Sequence, residues 1–119
     1  MFPANYSATP VLRDAMATSP TQLSLKLLRD EGWIVEVVER WIPGANIRKD
    51  LFGFIDLVAI RDNQTLGVQA TSYSNISARV RKIEESELLS AVRKASWQIW
   101  VIGWRKQNNR WTHKIVDCS

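Results

Sequence analysis

One cysteine, Cys118, and one histidine, His113, among 119 residues leave no second thiol for an internal disulfide. They also form no Cys-His pattern for a thiol protease or zinc site. No stretch approaches the roughly 20 apolar residues that span a bilayer. Met1-Phe2-Pro3-Ala4-Asn5 lacks a basic region followed by an apolar block, so neither a signal peptide nor a membrane protein is expected. A reducing, cytoplasmic setting is the expectation. The chain also lacks internal repeats, low-complexity tracts and linkers, and at this length it can bury one core but not two. Negative charge is the scarcer sign: 12 Asp and Glu stand against 16 Lys and Arg, a net +4, which suits a polyanionic partner.

What is present is the composition of a soluble globular domain, 45% hydrophobic and 24% charged,. Six tryptophans are many for the length, and three fall within Trp97-Gln98-Ile99-Trp100-Val101-Ile102-Gly103-Trp104. Stacking on bases is one use for them. Core packing is the better-supported use, because strand alternation places apolar residues on both faces of that segment. Residues 1–17 mix Pro, Ser, Ala and Thr without a period and read as an N-terminal arm; residues 18–119 read as one α/β domain.

Thr18-Ser19-Pro20 predicts a helix start, with Leu23, Leu27 and Leu28 as its apolar face and Gly32 as its stop. A first strand is expected over Trp33 to Trp41, ended by Ile42-Pro43-Gly44-Ala45-Asn46. Arg48-Lys49-Asp50 leads into a second strand containing Gly53 to Ile60. Asp62-Asn63-Gln64 makes the turn, and a third strand runs to Thr71-Ser72. Ser74 or Asn75 caps a second helix whose apolar residues are Ile76, Val80, Ile83, Leu88, Ala91 and Val92. Strands over Trp97 to Trp104 and Trp111 to Val116 flank a turn at Lys106-Gln107-Asn108-Asn109. The expected order is α-β-β-β-α-β-β.

The chemistry is expected around Asp56. A carboxylate inside Phe54-Ile55-Asp56-Leu57-Val58-Ala59-Ile60 is costly unless it is paired, hydrogen-bonded or holding a metal. Gln69 and Thr71, two apart, share a strand face, and the turn at Asp62-Asn63 brings Asp56 opposite Gln69. A carboxylate, an amide oxygen and backbone carbonyls are hard ligands of the kind that hold Mg²⁺. A core Asp satisfied by a backbone amide or an arginine is the alternative. Glu36 is a candidate additional acid; Glu39, three residues on, points to the opposite face. His113 reads as a surface residue, and Ser72 and Ser74 as the approach to a helix cap.

The element order, with Asp56 in Asp-Leu-Val-Ala and Gln69-Ala70-Thr71 on the next strand, resembles the PD-(D/E)xK, restriction-endonuclease-like nuclease superfamily over about residues 18 to 117. The nearest look is to Holliday-junction-resolvase-like and small phage-type nucleases. The segments "DLFGFIDLVAI", "LGVQATS", "ARVRKIEESE" and "GWRK" are similar to short phage-type proteins. The resemblance implies a restriction-endonuclease-like core with a mixed sheet flanked by helices, cleavage of DNA phosphodiesters with Mg²⁺ or Mn²⁺, and a homodimer in bacterial or phage-infected cytosol. By position, Asp56 matches the metal-binding aspartate, Gln69 the second acidic ligand, Thr71 the lysine and Gln22 a helical glutamate. Glutamine keeps an oxygen ligand but removes a charge, and threonine positions water without supplying a cation. The replacement cation, and the DNA contacts, are expected from Arg48, Lys49, Arg79, Arg81 or Lys82. Two other readings remain: a nuclease-like fold that binds DNA without cutting, and a phage-type scaffold that binds a host protein.

Overall fold

The computed structural model describes residues 19–119; the 1–17 arm and Thr18 lie outside them. Helix α1 (Pro20–Asp30) opens as its sequence predicts: Ser19 Oγ accepts from the Gln22 N–H at 3.1 Å and Pro20 sits in the first turn,. Then come β1 (Ile34–Val37), β2 (Arg40–Ile42), β3 (Ile47–Lys49), β4 (Leu57–Arg61) and β5 (Gln64–Ser72). A single 3₁₀ turn leads into α2 (Ile76–Glu84) and α3 (Leu89–Lys94), and β6 (Gln98–Gln107) and β7 (Arg110–Asp117) complete the chain.

The fold is mixed α/β. Five strands form one sheet in the order β1-β4-β5-β6-β7, while β2 and β3 form a separate hairpin. Only β5 and β6 run parallel, joined by the crossover through α2 and α3; the other neighbours are antiparallel. Alternation sends apolar side chains to both faces of this sheet. On one side Leu57, Ala59, Leu66, Val68, Ile102 and Trp104 pack with Leu25 and Leu28 of α1. On the other, Ile99 and Val101 pack with Ile76 and Ile83 of α2 and Leu89 and Val92 of α3. Trp104 is buried and donates from Nε1 to Ser24 Oγ at 2.8 Å. The core reading of the 97–104 tryptophans thus holds for Trp104, with Trp97 and Trp100 packed half-buried against the two cores.

Three expected elements are corrected. The strand expected over Trp33 to Trp41 is interrupted, because Val38 and Glu39 turn their N–H groups to the Asp56 carbonyl, at 2.8 and 3.2 Å, ending β1 at Val37. The second strand begins only at Leu57: residues 50–55 form a tight loop with Phe52 and Gly53 at positive φ. Asp56 therefore stands at the mouth of a strand instead of inside one. The second helix is two, since Ser86 Oγ takes the Leu88 N–H at 3.1 Å and competes with helical pairing,. Leu88 is left exposed while Leu89 and Val92 enter the core. Among the described residues no helix is long and apolar enough to cross a membrane.

Candidate metal centre

The β4–β5 hairpin supplies the centre of the site. Its two-residue turn pairs Arg61 with Gln64 and Leu57 with Val68, which sets Asp56 beside Gln69. Gln69 Nε2 donates to Asp56 Oδ2 at 2.6 Å, and the Ala70 N–H donates to the same oxygen at 2.9 Å. The Asp56 N–H in turn donates to the Val68 carbonyl at 2.8 Å. Asp56, Gln69 and Thr71 are all buried, and all three line one cleft of about 780 Å³.

Two further carboxylates reach the same place. The bonds from Val38 and Glu39 to the Asp56 carbonyl bend the chain after β1 so that Glu39 turns inward. The 50–55 loop closes through Leu51 N–H to Ile55 O at 2.9 Å and returns Asp50 toward Asp56. Oxygen atoms of Glu39, Asp50 and Asp56 all lie within 4.8 Å of one another. Thr21 Oγ1 and Arg48 Nη1 each donate to Glu39 at 3.3 Å, and Lys82 Nζ donates to Asp50 Oδ2 at 3.2 Å.

The Asp56 carboxyl is pushed up to about 7. Burial disfavours its charged form most, and the Asp50 carboxyl adds to that through a hydrogen bond and like charge. The Ala70 N–H and the Gln69 amide pull the other way,. A crowded, partly protonated set of carboxyls is what a hard cation would relieve. A second observation points in the same direction: Gln69 Oε1 is buried and has no hydrogen-bond partner, although buried acceptors are nearly always satisfied. The three carboxylates fit an oxygen-ligated divalent ion, with Glu39, Asp50 and Asp56 as its holders; Gln69 presents Nε2 to Asp56, so its Oε1 would join them on rotation of the amide,.

The sequence-predicted residues divide clearly. Gln22, Asp56, Gln69, Thr71, Arg48, Arg79 and Lys82 line the cleft. Lys49 and Arg81 do not line it, because each lies on the other face of its element: Lys49 alternates with Arg48 on β3, whereas Arg79 and Lys82 share a face of α2 at i, i+3. Glu36 is exposed on β1, outside the cleft, and Glu39 takes the position expected of it. Alternation along one long strand put the two glutamates on opposite faces; the break after Val37 undoes that count. Asp50 was missed as a site residue for a similar reason, being read only as a strand approach. His113 is exposed, its ring 4.8 Å from that of Trp104, and Cys118 is buried with its thiol pushed up by that burial. Comparison of the chain with protein-family models, with curated proteins and with solved structures found no match in any of the three.

Proposed function

We propose that this protein is a metal-dependent DNA endonuclease whose cleavage centre is the cleft floored by Asp56. The observation that carries the reading is the convergence of Glu39, Asp50 and Asp56, with a buried Gln69 bonded to Asp56. Asp56, just before β4, and Gln69, within β5, are the positions that the resemblance to PD-(D/E)xK nucleases would give to metal ligands; Glu39 and Asp50 join them from beside the β2–β3 hairpin. Mg²⁺ or Mn²⁺ bound there supplies Lewis acidity and neutralises charge on a phosphodiester. Thr71, buried beside Gln69, offers a hydroxyl to orient water. Lys82 supplies the ammonium that position 71 lacks, since it is the lysine lining the cleft and its Nζ already lies 3.2 Å from Asp50 Oδ2,. Arg48 on β3 and Arg79 on α2, both lining the cleft, hold phosphates,.

DNA binding without cleavage is the second reading. Arg48 and Lys82 are each ion-paired to a site carboxylate, at 3.3 and 3.2 Å, so the cleft partly satisfies its own charges. One experiment separates the two: cleavage of labelled four-way-junction, flap and single-stranded DNA with Mg²⁺ or Mn²⁺, comparing wild type with Asp56→Ala and Lys82→Ala. The nuclease reading expects metal-dependent cutting that disappears in Asp56→Ala and falls about 10²-fold or more in Lys82→Ala. No cutting, with salt-sensitive binding retained by all three proteins, supports the second reading. Absence of both cutting and binding rejects a nucleic-acid role and favours a protein-binding scaffold.

A further inference from the structure

The β2–β3 hairpin is not part of the main sheet, and its side chains form one wall of the cleft. Its register pairs Trp41 with Arg48, so the two share a face, and both line the cleft together with Arg40 and Val37,. Trp41 is 53% exposed and Val37 42%, whereas Trp33 and Trp104 are 2% and 7% exposed. An indole half exposed at a cleft has apolar surface open to a ligand. Arg79 and Lys82 stand on the α2 wall. Arg79 has no ion-pair partner among the described residues.

An aromatic side chain sharing a cleft with cations is the chemistry of a nucleotide, whose base stacks while its phosphate is paired,. Bases of a duplex are already stacked and present only their edges and backbone. An indole can therefore use its face only on a base that has no neighbour above it. The exposed apolar part is also small, two side chains set among charged ones, which suits one base better than a protein interface core,.

From this arrangement we infer that the hairpin is a stacking platform for unpaired nucleotides of single-stranded DNA. Trp41 takes a base, while Arg48 and Arg79 take the flanking phosphates. The inference rests on the nuclease reading for the identity of the polymer, but it requires no cleavage. It makes the cleft selective for single strands, frayed ends or flaps, with little sequence preference, because every base has a π face.

Binding in EDTA tests it apart from cutting. A labelled single-stranded oligonucleotide and the blunt duplex of the same sequence are titrated by fluorescence anisotropy with wild type, Trp41→Ala, Trp41→Phe and Arg79→Ala. Trp41→Ala should weaken single-strand binding about 10- to 100-fold and duplex binding far less, so the preference for single strands collapses, while Trp41→Phe restores most of it. The salt slope should be unchanged in Trp41→Ala and about 0.7 shallower in Arg79→Ala. Equal weakening on both substrates, single-strand affinity within about twofold of wild type in Trp41→Ala, or no binding by wild type overturns the inference. Trp41-dependent binding by a protein that never cuts sinks the nuclease reading and leaves this one standing. Cutting without any Trp41 dependence does the reverse.

Discussion

Asp56 is held by two donors on one oxygen, and crowded by Asp50, in a buried position. Its unfolded value is that of an ordinary aspartate, near 3.8, and its folded value is about 7. Between those values the native state keeps a proton that the unfolded chain has released. Stability should therefore fall as pH rises through this window, with a limiting slope of about 1.4 kcal/mol per pH unit, and level off above it. Urea melts across the window in EDTA will show that slope for wild type, and Asp56→Asn will flatten it. A divalent ion favours the ionised carboxyls, so Mg²⁺ or Mn²⁺ should raise the melting temperature at about pH 8 and do little at about pH 5. A metal response that is the same at both pH values, or that persists in Asp56→Asn, would exclude these carboxyls as ligands.

Among the elements, α1 and α2 set the walls of the cleft. Ser19 caps α1, and the same first turn presents Thr21 to Glu39 and Gln22 to the cleft. Ser19→Ala should cost about 1 kcal/mol in denaturant unfolding, with α1 fraying first in hydrogen exchange. The seat of α2 depends on Gly103 in β6: a Cβ there would run into Ile76, the first residue of the helix, and the backbone of Tyr73 just before it. Gly103→Ala should destabilise by about 1–3 kcal/mol. Because Arg79 and Lys82 ride on the displaced helix, it should also weaken DNA binding, an effect that binding curves at a temperature where the variant is fully folded will reveal. A variant of unchanged stability would mean that Ile76 yields freely.

For the molecule as a whole, the modest net charge of +4 says less than where the charge lies. Arg40, Arg48, Arg79 and Lys82 line one cleft, whereas Lys49 and Arg81 lie outside it. If those four meet phosphates, log K for single-stranded DNA should fall against log salt with a slope of about 3. Charge reversal at Lys49 or Arg81 should leave that slope nearly unaltered, and reversal at Arg79 should reduce it. A steeper slope that responds to every basic residue alike would indicate diffuse attraction without a specific groove.

Local pattern alone determined a good deal. The cap of α1 and Leu28 on its buried face, the turn at Asp62 and Asn63, the presence of two strands at the C-terminal end, and the juxtaposition of Asp56, Gln69 and Thr71 were legible, because each depends on neighbours a few residues away or on the period of a strand; Leu25, which is buried where Leu23 and Leu27 are only half-buried, was not. The acidic partners and the division of the basic residues were decided only in three dimensions. Glu39 enters the site because it and Val38 both donate to the Asp56 carbonyl at the end of the β1–β4 pairing, a bulge of two residues against one that shifts the alternation and that no periodicity encodes. Asp50 arrives by the closure of a loop through positive φ, and Trp41 stands half exposed on a hairpin separate from the main sheet. Strand alternation assumes a continuous, evenly paired strand; where a bulge sets two residues against one, the face that each later residue presents is set by the fold.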